Sequence, residues 1–437
     1  MTNPAPAPAA QSPASGLPSR VLAHQLLTLI VRQGQSFHDA LVELPQMNPL
    51  AERDRAFVRL LVLLTLRRMG QIDAALAQHI NMKNTPPAVV DILRLTAAQL
   101  WWLKTPAHAA VDSAVNLAEK RGQVKLKGLV NAVSRKLSAQ PVPADNPAQI
   151  LPQWLLQSWT QAYGAETVAS MVRAQMMEPA LDITVKDDAT AWAEKLQATV
   201  LPTGSLRREA GRVDTMPGFD EGSWWVQDAA AVLPAKVLMH LLGDLRGKTI
   251  VDIGAAPGGK TAQLAAAGAK VIAVERNPDR AKLLRENLNR LKLEAEIVVA
   301  DATQWKPNQP VDAVLLDAPC SATGTLRRHP EIAWLKSRLD VLQQAKLQAA
   351  LLRHVAGWLP PGGLLLYAVC SLQPEEGEQQ VNGLLAQNRG LSRVAVTPAL
   401  LDGQTGWITP TGDLRTLPHQ LKGGMDGFYA AALRKKA

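Results

Sequence analysis

The hydrophobic pattern of the first third of the chain is helical. Between residue 19 and about residue 138, apolar side chains recur at spacings of three and four, which places them on one face of an α-helix. Two such stripes are Phe57, Leu60, Leu61 and Leu64, and Val89, Ile92, Leu93, Thr96 and Leu100. Gly70 and the Pro-containing stretches 84–87 and 105–108 are expected to separate helices. Because no strand pattern interrupts them, residues 19–140 are predicted to form an all-α domain.

The pattern changes after a proline-rich linker at 138–152. Two short helices are predicted at 153–164 and 165–176, and residues 141–168 are assigned to the linker and its connecting helices. Short strands and turns follow, in the stretches 181–186, 192–201 and 224–228. They indicate a small α/β subdomain over residues 169–232.

Strands and helices alternate from residue 233 to the last residue, 437. The apolar strands are predicted at 248–254, 270–275, 295–301, 311–319 and 363–370. Nearly continuous apolar strands in β-α repeats are typical of a parallel sheet covered on both faces. Ligands bind such sheets at the carboxyl ends of the strands, so the residues at those ends are the candidates for chemistry.

Bulk composition narrows the class of protein. A chain of 437 residues with 47% hydrophobic and 19% charged residues is typical of a multidomain globular protein. No apolar run approaches the about 20 residues that span a bilayer. The first 18 residues are rich in Pro, Ala and Ser, which predicts a disordered tail and not a signal peptide. The two cysteines, Cys320 and Cys370, exclude a disulfide scaffold and favour a cytoplasmic protein with reduced thiols. We expect a monomer without a bound metal.

Charge favours an anionic partner, since the net charge is +9. A basic run at 120–136 carries the predicted last helix of the all-α domain and holds six cations and no acid, namely Lys120, Arg121, Lys125, Lys127, Arg135 and Lys136. A solvated helix face is the ordinary explanation of such a run. We instead expect contact with an RNA backbone, with Lys125, Lys127 and Arg135 as the candidate residues.

A glycine-rich loop, GAAPGGKT at 254–261, directly follows the first strand of the β-α repeats. The letters satisfy the phosphate-binding P-loop pattern, in which Lys260 and Thr261 would hold phosphate and magnesium. Alternatively, the loop (Gly254, Ala255, Ala256, Pro257, Gly258, Gly259 and Lys260) holds a nucleoside that carries an amino-acid tail. That alternative predicts an acid for the ribose hydroxyls at the end of the next strand and a polar group for the adenine amine at the end of the third. Glu275 and Asp301 stand there, which favours S-adenosylmethionine over ATP, while the loop alone also permits a nicotinamide cofactor.

Both cysteines end predicted strands, and both are followed by Ser. A free cysteine is more commonly a small buried apolar residue, yet these two thiols are predicted to point into the same cleft as Gly254, Glu275 and Asp301. Carbon 5 of a pyrimidine is a poor nucleophile until a thiolate adds to carbon 6. One cysteine suffices for that attack, and a second can assist release. Asp317, at the end of the same strand as Cys320, is predicted to hold the ring nitrogen and exocyclic amine of a cytosine.

A base inside a duplex cannot reach either thiol, so the target must be unstacked or lie in a loop. The stretch after Cys320 contains Arg327, Arg328 and His329. We predict that these three residues contact phosphates or position the base, the alternative being a solvent-exposed basic loop.

The sequences DAPCSATG, GAAPGGKT and YAVCS resemble motifs IV, I and VI of the RNA (cytosine-5) methyltransferases. The all-α region, with ILRLTAAQL and GLVNAVSRK, resembles the antitermination factor NusB, as in the bacterial family members that act on 16S rRNA. The resemblance implies that Cys370 is the nucleophile and that Cys320 assists product release. It also implies a cofactor site formed by the 254–260 loop, Glu275, Arg280, Asp301 and Asp317. The implied fold is a seven-stranded Rossmann-like sheet preceded by a small RRM-like domain.

Three positions depart from the family pattern. Val369 precedes the nucleophile where Thr is usual, Gly254 opens the loop where Cys is common, and Glu275 replaces the usual ribose-binding Asp. Without the Thr hydroxyl, the Cys370 thiolate lacks a nearby hydrogen-bonding group that could contribute to its activation. Two other functions stay open on the sequence, a non-catalytic RNA-binding or ribosome-assembly factor on a methyltransferase scaffold and a P-loop ATPase.

Overall fold

The computed structural model describes residues 16–209 and 211–437. Residues 1–15 of the predicted disordered tail lie outside this range, and its last two residues already begin the first helix at Leu17. The chain divides into two compact units. The first extends to Leu156 and includes His329–Leu335, and the second contains Gln157–Arg328 and Lys336–Ala437.

The first unit is entirely helical within its described residues, which confirms the all-α prediction. Its helices are α1 Leu17–Gln33, α2 Phe37–Val42, α3 Glu52–Leu76, α4 Pro87–Trp101, α5 Ala107–Lys120, α6 Lys127–Ser138 and α7 Pro147–Ile150, with α14 Ile332–Leu335 joining them from later in the chain. Leu26, Leu61 and Leu93 lie in one shared core and are fully buried. The predicted stripe on α4 is buried at Val89, Ile92, Leu93 and Thr96, whereas Leu60 of the stripe on α3 is 41% exposed.

Two local predictions for this unit are wrong. Gly70 does not break the helix, because α3 continues through it to Leu76. A side chain at position 70 would place its Cβ 2.0 Å from the carbonyl oxygen of Gln149, so the glycine permits close packing of α7. The basic run 120–136 is not one helix either: α5 ends at Lys120, a turn intervenes, and α6 begins at Lys127.

The second unit begins within α8 Gln153–Tyr163 and continues through α9 Ala165–Met176. A small antiparallel sheet follows, with the strand order β2-β3-β1-β4. Its elements are β1 Leu181–Val185, α10 Ala189–Leu196, β2 Thr199–Val200, β3 Leu206–Arg208 and β4 Trp224–Val226. The strand predicted at 192–201 is wrong for its first half, because residues 192–196 form the end of α10. Asp188 caps this helix by accepting a hydrogen bond from the backbone N–H of Thr190.

The large sheet has seven strands in the order β10-β12-β9-β8-β5-β6-β7, and a short eighth strand, β11, pairs with β12. The strands are β5 Thr249–Ile253, β6 Lys270–Glu275, β7 Glu296–Val299, β8 Ala313–Asp317, β9 Leu364–Val369, β10 Leu391–Val394, β11 Leu414–Thr416 and β12 Phe428–Lys435. Strands β5 to β9 pair in parallel, whereas β12 is antiparallel to its neighbours. The prediction of a parallel sheet therefore holds for β5 to β9, whereas the side of the sheet formed by β12 and its neighbours is antiparallel.

Both faces of the large sheet are buried, as the apolar strands predict. Ile250, Leu315 and Leu366 pack into one core, while Val251 and Leu316 pack into another. The associated helices are α11 Leu233–Leu242, α12 Gly259–Ala266, α13 Pro278–Leu291, α15 Arg338–Ala356 and α16 Glu378–Gln387. Among the helices of the described chain, none combines the length and apolar composition needed to cross a membrane.

The strand order reverses direction at β5. The chain runs outward from β5 to β6 and β7 and then returns to β8 on the other side of β5. The carboxyl ends of β5 and β8 flank this switch point, where open α/β sheets bind their ligands.

Candidate active site

The glycine loop turns sharply between β5 and α12. Gly254 has a φ of 74°, and a Cβ at this position would lie 2.3 Å from the carbonyl oxygen of Asp317. Only glycine allows this conformation and this approach together. The loop then enters α12 at Gly259, so the first N–H groups of a helix face the edge of the sheet.

The lysine and threonine of the loop are both engaged by acids. Lys260 Nζ donates to Asp317 Oδ2 at 2.7 Å, and Thr261 Oγ1 donates to Asp252 Oδ2 at 2.5 Å. Burial disfavours the charge of Lys260, but the Asp317 carboxylate outweighs it and raises the pKa of Lys260. Phosphate and magnesium would compete with these contacts, so the geometry disfavours a P-loop.

Glu275 ends β6 with its side chain 5% exposed. Its Oε1 accepts a hydrogen bond from the Asn277 N–H at 2.9 Å, whereas its buried Oε2 has no hydrogen-bond partner among the described residues. Arg280 Nη1 lies 3.6 Å from Oε2, and Arg280 Nη2 donates to the Ala256 carbonyl at 2.6 Å. Arg280 thus connects the glycine loop to Glu275.

Asp301 follows β7 in a tight turn. Its Oδ1 accepts hydrogen bonds from the N–H and the hydroxyl of Thr303, at 2.9 Å and 2.8 Å. These bonds lower the pKa of Asp301, the backbone donor contributing most. The carboxylate is exposed and ionised at neutral pH, with Oδ2 available to a ligand.

The two cysteines lie side by side, with their sulfur atoms 3.4 Å apart. They follow β8 and β9, which are parallel neighbours with Asp317 opposite Ala368. The hydrogen bond to Cys370 raises the pKa of Cys320 well above its ordinary value, and desolvation acts in the same direction. The Cys320 thiol is therefore protonated at neutral pH.

One cavity of about 530 Å³ unites these groups. Its lining includes Gly254, Glu275, Arg280, Asp301, Asp317, Cys320 and Cys370. A second cavity of about 370 Å³ shares Gly254, Ala256 and Asp317 with the first and adds Lys260, Arg290 and Arg328. All of the predicted cofactor and catalytic residues thus lie at one edge of the sheet.

The predicted RNA contacts after Cys320 divide into different environments. Arg327 is 1% exposed and donates to Asp228 Oδ2 at 2.6 Å, so its guanidinium stabilises the interior and is not available to an RNA phosphate. Arg328 is 37% exposed, pairs with Asp426 and lines the smaller cavity. Burial disfavours the charge of Arg328, yet Asp426 and Asp228 raise its pKa.

The remaining predicted RNA contacts belong to the first unit. His329 Nδ1 lies 3.5 Å from Glu331 Oε1. Lys127 forms an ion pair with Glu119 at 2.7 Å, which supplies a counter-charge from just outside the basic run. Lys125 and Arg135 are exposed.

Comparison with known proteins identifies the family. The family model described as 16S rRNA methyltransferase RsmB/F matches residues 239–434, and the NusB family model matches residues 17–139. The ribosomal RNA small subunit methyltransferase B of Cronobacter sakazakii is 33% identical over 443 residues, which cover 95% of this chain and 98% of the relative. The protein of the same name from Yersinia pestis is 34% identical with the same coverage.

This chain belongs to the 16S rRNA methyltransferase RsmB/F family. Solved structures agree on the fold. The crystal structure of PH0851 has a TM-score of 0.77 at 21% identity and covers 98% of this chain and 100% of that one. NSun6 from Pyrococcus horikoshii with SFG has a TM-score of 0.57 at 18% identity and covers 65% of this chain and 98% of that one.

Sequence reasoning missed two buried acids of this RsmB/F site. Asp252 lies within β5 and lines the smaller cavity, and burial raises its pKa to about 7. An acid inside an otherwise apolar strand is unusual, so Asp252 could have been recognised from the sequence as a candidate site residue. Glu376 lies behind both cysteines and is fully buried, but its place in a loop gives no periodic signal.

Proposed function

We propose that this chain transfers a methyl group from S-adenosylmethionine to carbon 5 of a cytosine in 16S rRNA through a covalent adduct with Cys370. The observation that carries the proposal is the contact between the two sulfurs in the cavity that also contains Gly254, Glu275 and Asp301. Membership of the RsmB/F family supports the RNA substrate.

The residues of the larger cavity fit the cofactor. The Oε2 of Glu275 suits a ribose hydroxyl, because this buried oxygen accepts no hydrogen bond although Arg280 Nη1 lies 3.6 Å away. Asp301 would accept from the adenine amine, and the Gly254 backbone leaves room for close approach of the nucleoside. When bound, S-adenosylmethionine supplies an electrophilic methyl group.

The charges around the sulfurs support Cys370 as the nucleophile. A Cys370 thiolate acts with Asp317 in raising the pKa of Lys260 against the effect of burial. It acts with Asp426 and Asp228 in the same way on Arg328. The hydrogen bond with the Cys370 sulfur and burial both raise the pKa of Cys320, which makes Cys320 a poor candidate for the attacking thiolate. This division matches the roles that the motif resemblance implies.

Asp317 is the proposed anchor of the base. Lys260 holds its Oδ2 at 2.7 Å, and the carboxyl side chain is still 27% exposed toward solvent. An ionised carboxylate accepts hydrogen bonds only, so Asp317 would accept from the exocyclic amine of cytosine. Uracil has a carbonyl oxygen at that position and would be disfavoured.

The proposed reaction begins at the Cys370 sulfur. The Cys370 sulfur bonds to carbon 6, and the ring electrons move to carbon 5, which bonds the methyl group as the carbon–sulfur bond of the donor breaks. A base then removes the proton from carbon 5, and the bond between carbon 6 and the Cys370 sulfur breaks to restore the ring. Cys320 is the group in contact with that sulfur and is proposed to assist this release.

RNA contacts are proposed for the exposed cations. Lys125 and Arg135 of the first unit are suited to phosphates, and Lys127 is suited once Glu119 is displaced. Arg328 is suited through guanidinium donors that face the smaller cavity.

The test compares two cysteine variants on 16S rRNA or an assembling small subunit. Cys370→Ala should abolish 5-methylcytosine formation and form no adduct. Cys320→Ala should accumulate a protein–RNA adduct that survives a denaturing gel. Methylation by Cys370→Ala at the wild-type rate would refute the covalent proposal. Mapping 5-methylcytosine in rRNA from cells that lack the protein would identify the target nucleotide.

A further inference from the structure

One buried carboxylate contacts the turns that follow both cysteines. Glu376 lies between β9 and α16 and has no exposed surface. Its Oε1 accepts a hydrogen bond from the Ser321 N–H at 2.7 Å, and its Oε2 accepts from the hydroxyls of Ser321 and Ser371, each at 2.5 Å. Ser321 follows Cys320 and Ser371 follows Cys370, so a single side chain links the two turns.

Further buried hydrogen bonds stabilise this link. Gln348 Nε2, from α15, donates to the carbonyl of Pro319 at 2.8 Å and to Glu376 Oε1 at 3.3 Å. The Gly324 N–H donates to the carbonyl of Cys370 at 3.0 Å. The turns are therefore held together both through Glu376 and directly through the backbone.

Glu376 has no counter-charge in this position. Among the ion pairs of residues 16–209 and 211–437, none includes Glu376, and hydrogen bonds alone stabilise its carboxylate. A buried carboxylate without a cation is unfavourable unless its oxygens accept hydrogen bonds. Burial raises the pKa of Glu376, and the donors from Ser321 and Ser371 oppose that effect. A neutral side chain of the same size would fill this space without the free-energy cost of a buried charge, so we expect Glu376 to have a role beyond packing.

We infer that Glu376 is a positioning residue that fixes the spacing of the two catalytic sulfurs through one serine on each turn. The Ser371 contact orients Cys370 for attack, and the Ser321 contact orients Cys320 for release. This inference rests on the proposed function for its consequences in catalysis. A displacement of about 1 Å at reacting atoms can reduce a rate by about 100-fold, so contacts that hold the sulfurs at 3.4 Å matter to the reaction.

The two serines allow the two contacts to be separated. Ser371→Ala should slow the first appearance of the protein–RNA adduct by about 10-fold or more, whereas Ser321→Ala should form the adduct normally and resolve it slowly. Glu376→Gln retains the volume but offers only one accepting atom, and it should slow both steps. Ser205→Ala is the matched control, because Ser205 is a fully buried serine of the same unit outside the cysteine turns. It should leave both rates unchanged.

An activity-independent measurement tests the spacing itself. Diamide accepts two electrons and two protons from a pair of thiols in contact and leaves a disulfide. In the wild-type protein, Cys320 and Cys370 should form this bond rapidly, as detected by the loss of two hydrogens in the intact mass. Glu376→Gln should slow it by about 10-fold, as expected for a displaced reacting pair, while Ser205→Ala should not.

The outcomes distinguish the inference from the proposed function. Unchanged disulfide rates and unchanged adduct kinetics in Glu376→Gln would overturn the inference, even if the wild-type protein methylates RNA. Slower disulfide formation in a protein that methylates no RNA would support the positioning role and refute the proposed function. If Glu376→Gln does not fold, the two serine variants test the inference instead. Identical rates of adduct formation and of adduct resolution in Ser321→Ala and Ser371→Ala would overturn it.

Discussion

Lys260 Nζ lies 2.7 Å from Asp317 Oδ2, and this ion pair joins the start of α12 to the end of β8. The Lys260 side chain is 10% exposed, and both residues line the smaller cavity. Removing the cation would leave the Asp317 carboxylate without the partner that holds it in place. It would also remove a positive charge from the neighbourhood of Cys370.

We therefore expect Lys260→Met to slow methyl transfer by about 10- to 150-fold, the equivalent of one hydrogen bond to a charged group. Single-turnover kinetics at saturating cofactor would measure the effect. Lys236→Met is the control, because Lys236 forms a comparable ion pair with Asp402 at 2.5 Å in the same unit and lines neither cavity. Equal rates for the two variants would contradict the prediction.

Glu275 is expected to contribute to cofactor affinity through its Oε2, which accepts no hydrogen bond from the protein. Glu275→Ala should weaken binding of S-adenosylmethionine by about 10-fold or more, because the variant cannot make a hydrogen bond to a charged group. Isothermal titration calorimetry without RNA would measure this. Glu286→Ala on the exposed face of α13 should bind as the wild type does. An unaltered dissociation constant in Glu275→Ala would remove Glu275 from the site.

The Gly254 position should tolerate no side chain. Gly254→Ala combines an unfavourable φ of 74° with a Cβ 2.3 Å from the Asp317 carbonyl, so it should lower both thermal stability and cofactor affinity. Gly247→Ala isolates the backbone effect, since Gly247 has a φ of 83° with nothing within 4 Å of the added Cβ. That control should cost about 1–2 kcal/mol of stability and leave cofactor affinity intact. Similar affinities in both variants would contradict the steric explanation.

The sequence predicted the five parallel strands β5 to β9 and the edge at which the functional residues meet, but not β10, β11 and β12. A short, nearly continuous run of apolar residues predicts a buried parallel strand. The carboxyl ends of parallel strands lie at the same edge of the sheet, so the residues that follow them are expected to meet there. The contacts of individual side chains were not predictable in this way. Arg327 and Arg328 are adjacent and chemically identical, yet one is 1% exposed and the other 37% exposed. Their difference depends on Asp228 and Asp426, which are distant in sequence.

Long-range packing also explains the wrong helix boundary at Gly70. Glycine lowers helix propensity, but at this position it allows the Gln149 carbonyl to approach the helix. The tertiary contact outweighs the local preference. The same reasoning applies to Glu376, whose partners Ser321 and Ser371 come from two different loops.

The basic residues of the first unit should contribute electrostatically to RNA binding. Replacing both Lys125 and Arg135 with Ala should weaken binding of a 16S rRNA fragment and reduce the salt dependence of the binding constant, by a slope of about 0.7 to 0.9 for each phosphate that is no longer neutralised. Lys83→Ala, another exposed cation of this unit, should change neither. Fluorescence anisotropy across a series of salt concentrations would measure both quantities. An unchanged slope in the double variant would exclude these residues from the RNA interface.

Asp252 should make the stability of the protein depend on pH. Its ordinary pKa is 3.8, and burial raises this to about 7 in the folded chain. Below about pH 4 the carboxyl group is protonated in both the folded and unfolded states. As the pH rises toward 7 the unfolded chain ionises first, so the folded state loses stability, and above pH 7 it bears the full cost of the buried charge.

Asp252→Asn removes this cost while an amide oxygen can still accept the Thr261 hydroxyl bond. Its free energy of unfolding should exceed that of the wild type by an amount that grows by about 2–3 kcal/mol between pH 5 and pH 8. Denaturant unfolding at the two pH values, without cofactor, would measure the difference. Asp244→Asn should show no such pH dependence, because hydrogen bonds from Arg246 lower the pKa of Asp244 and its carboxylate is ionised in both the folded and unfolded states between pH 5 and pH 8. A gain for Asp252→Asn that does not change with pH would mean that Asp252 is already ionised at pH 5 in the folded protein.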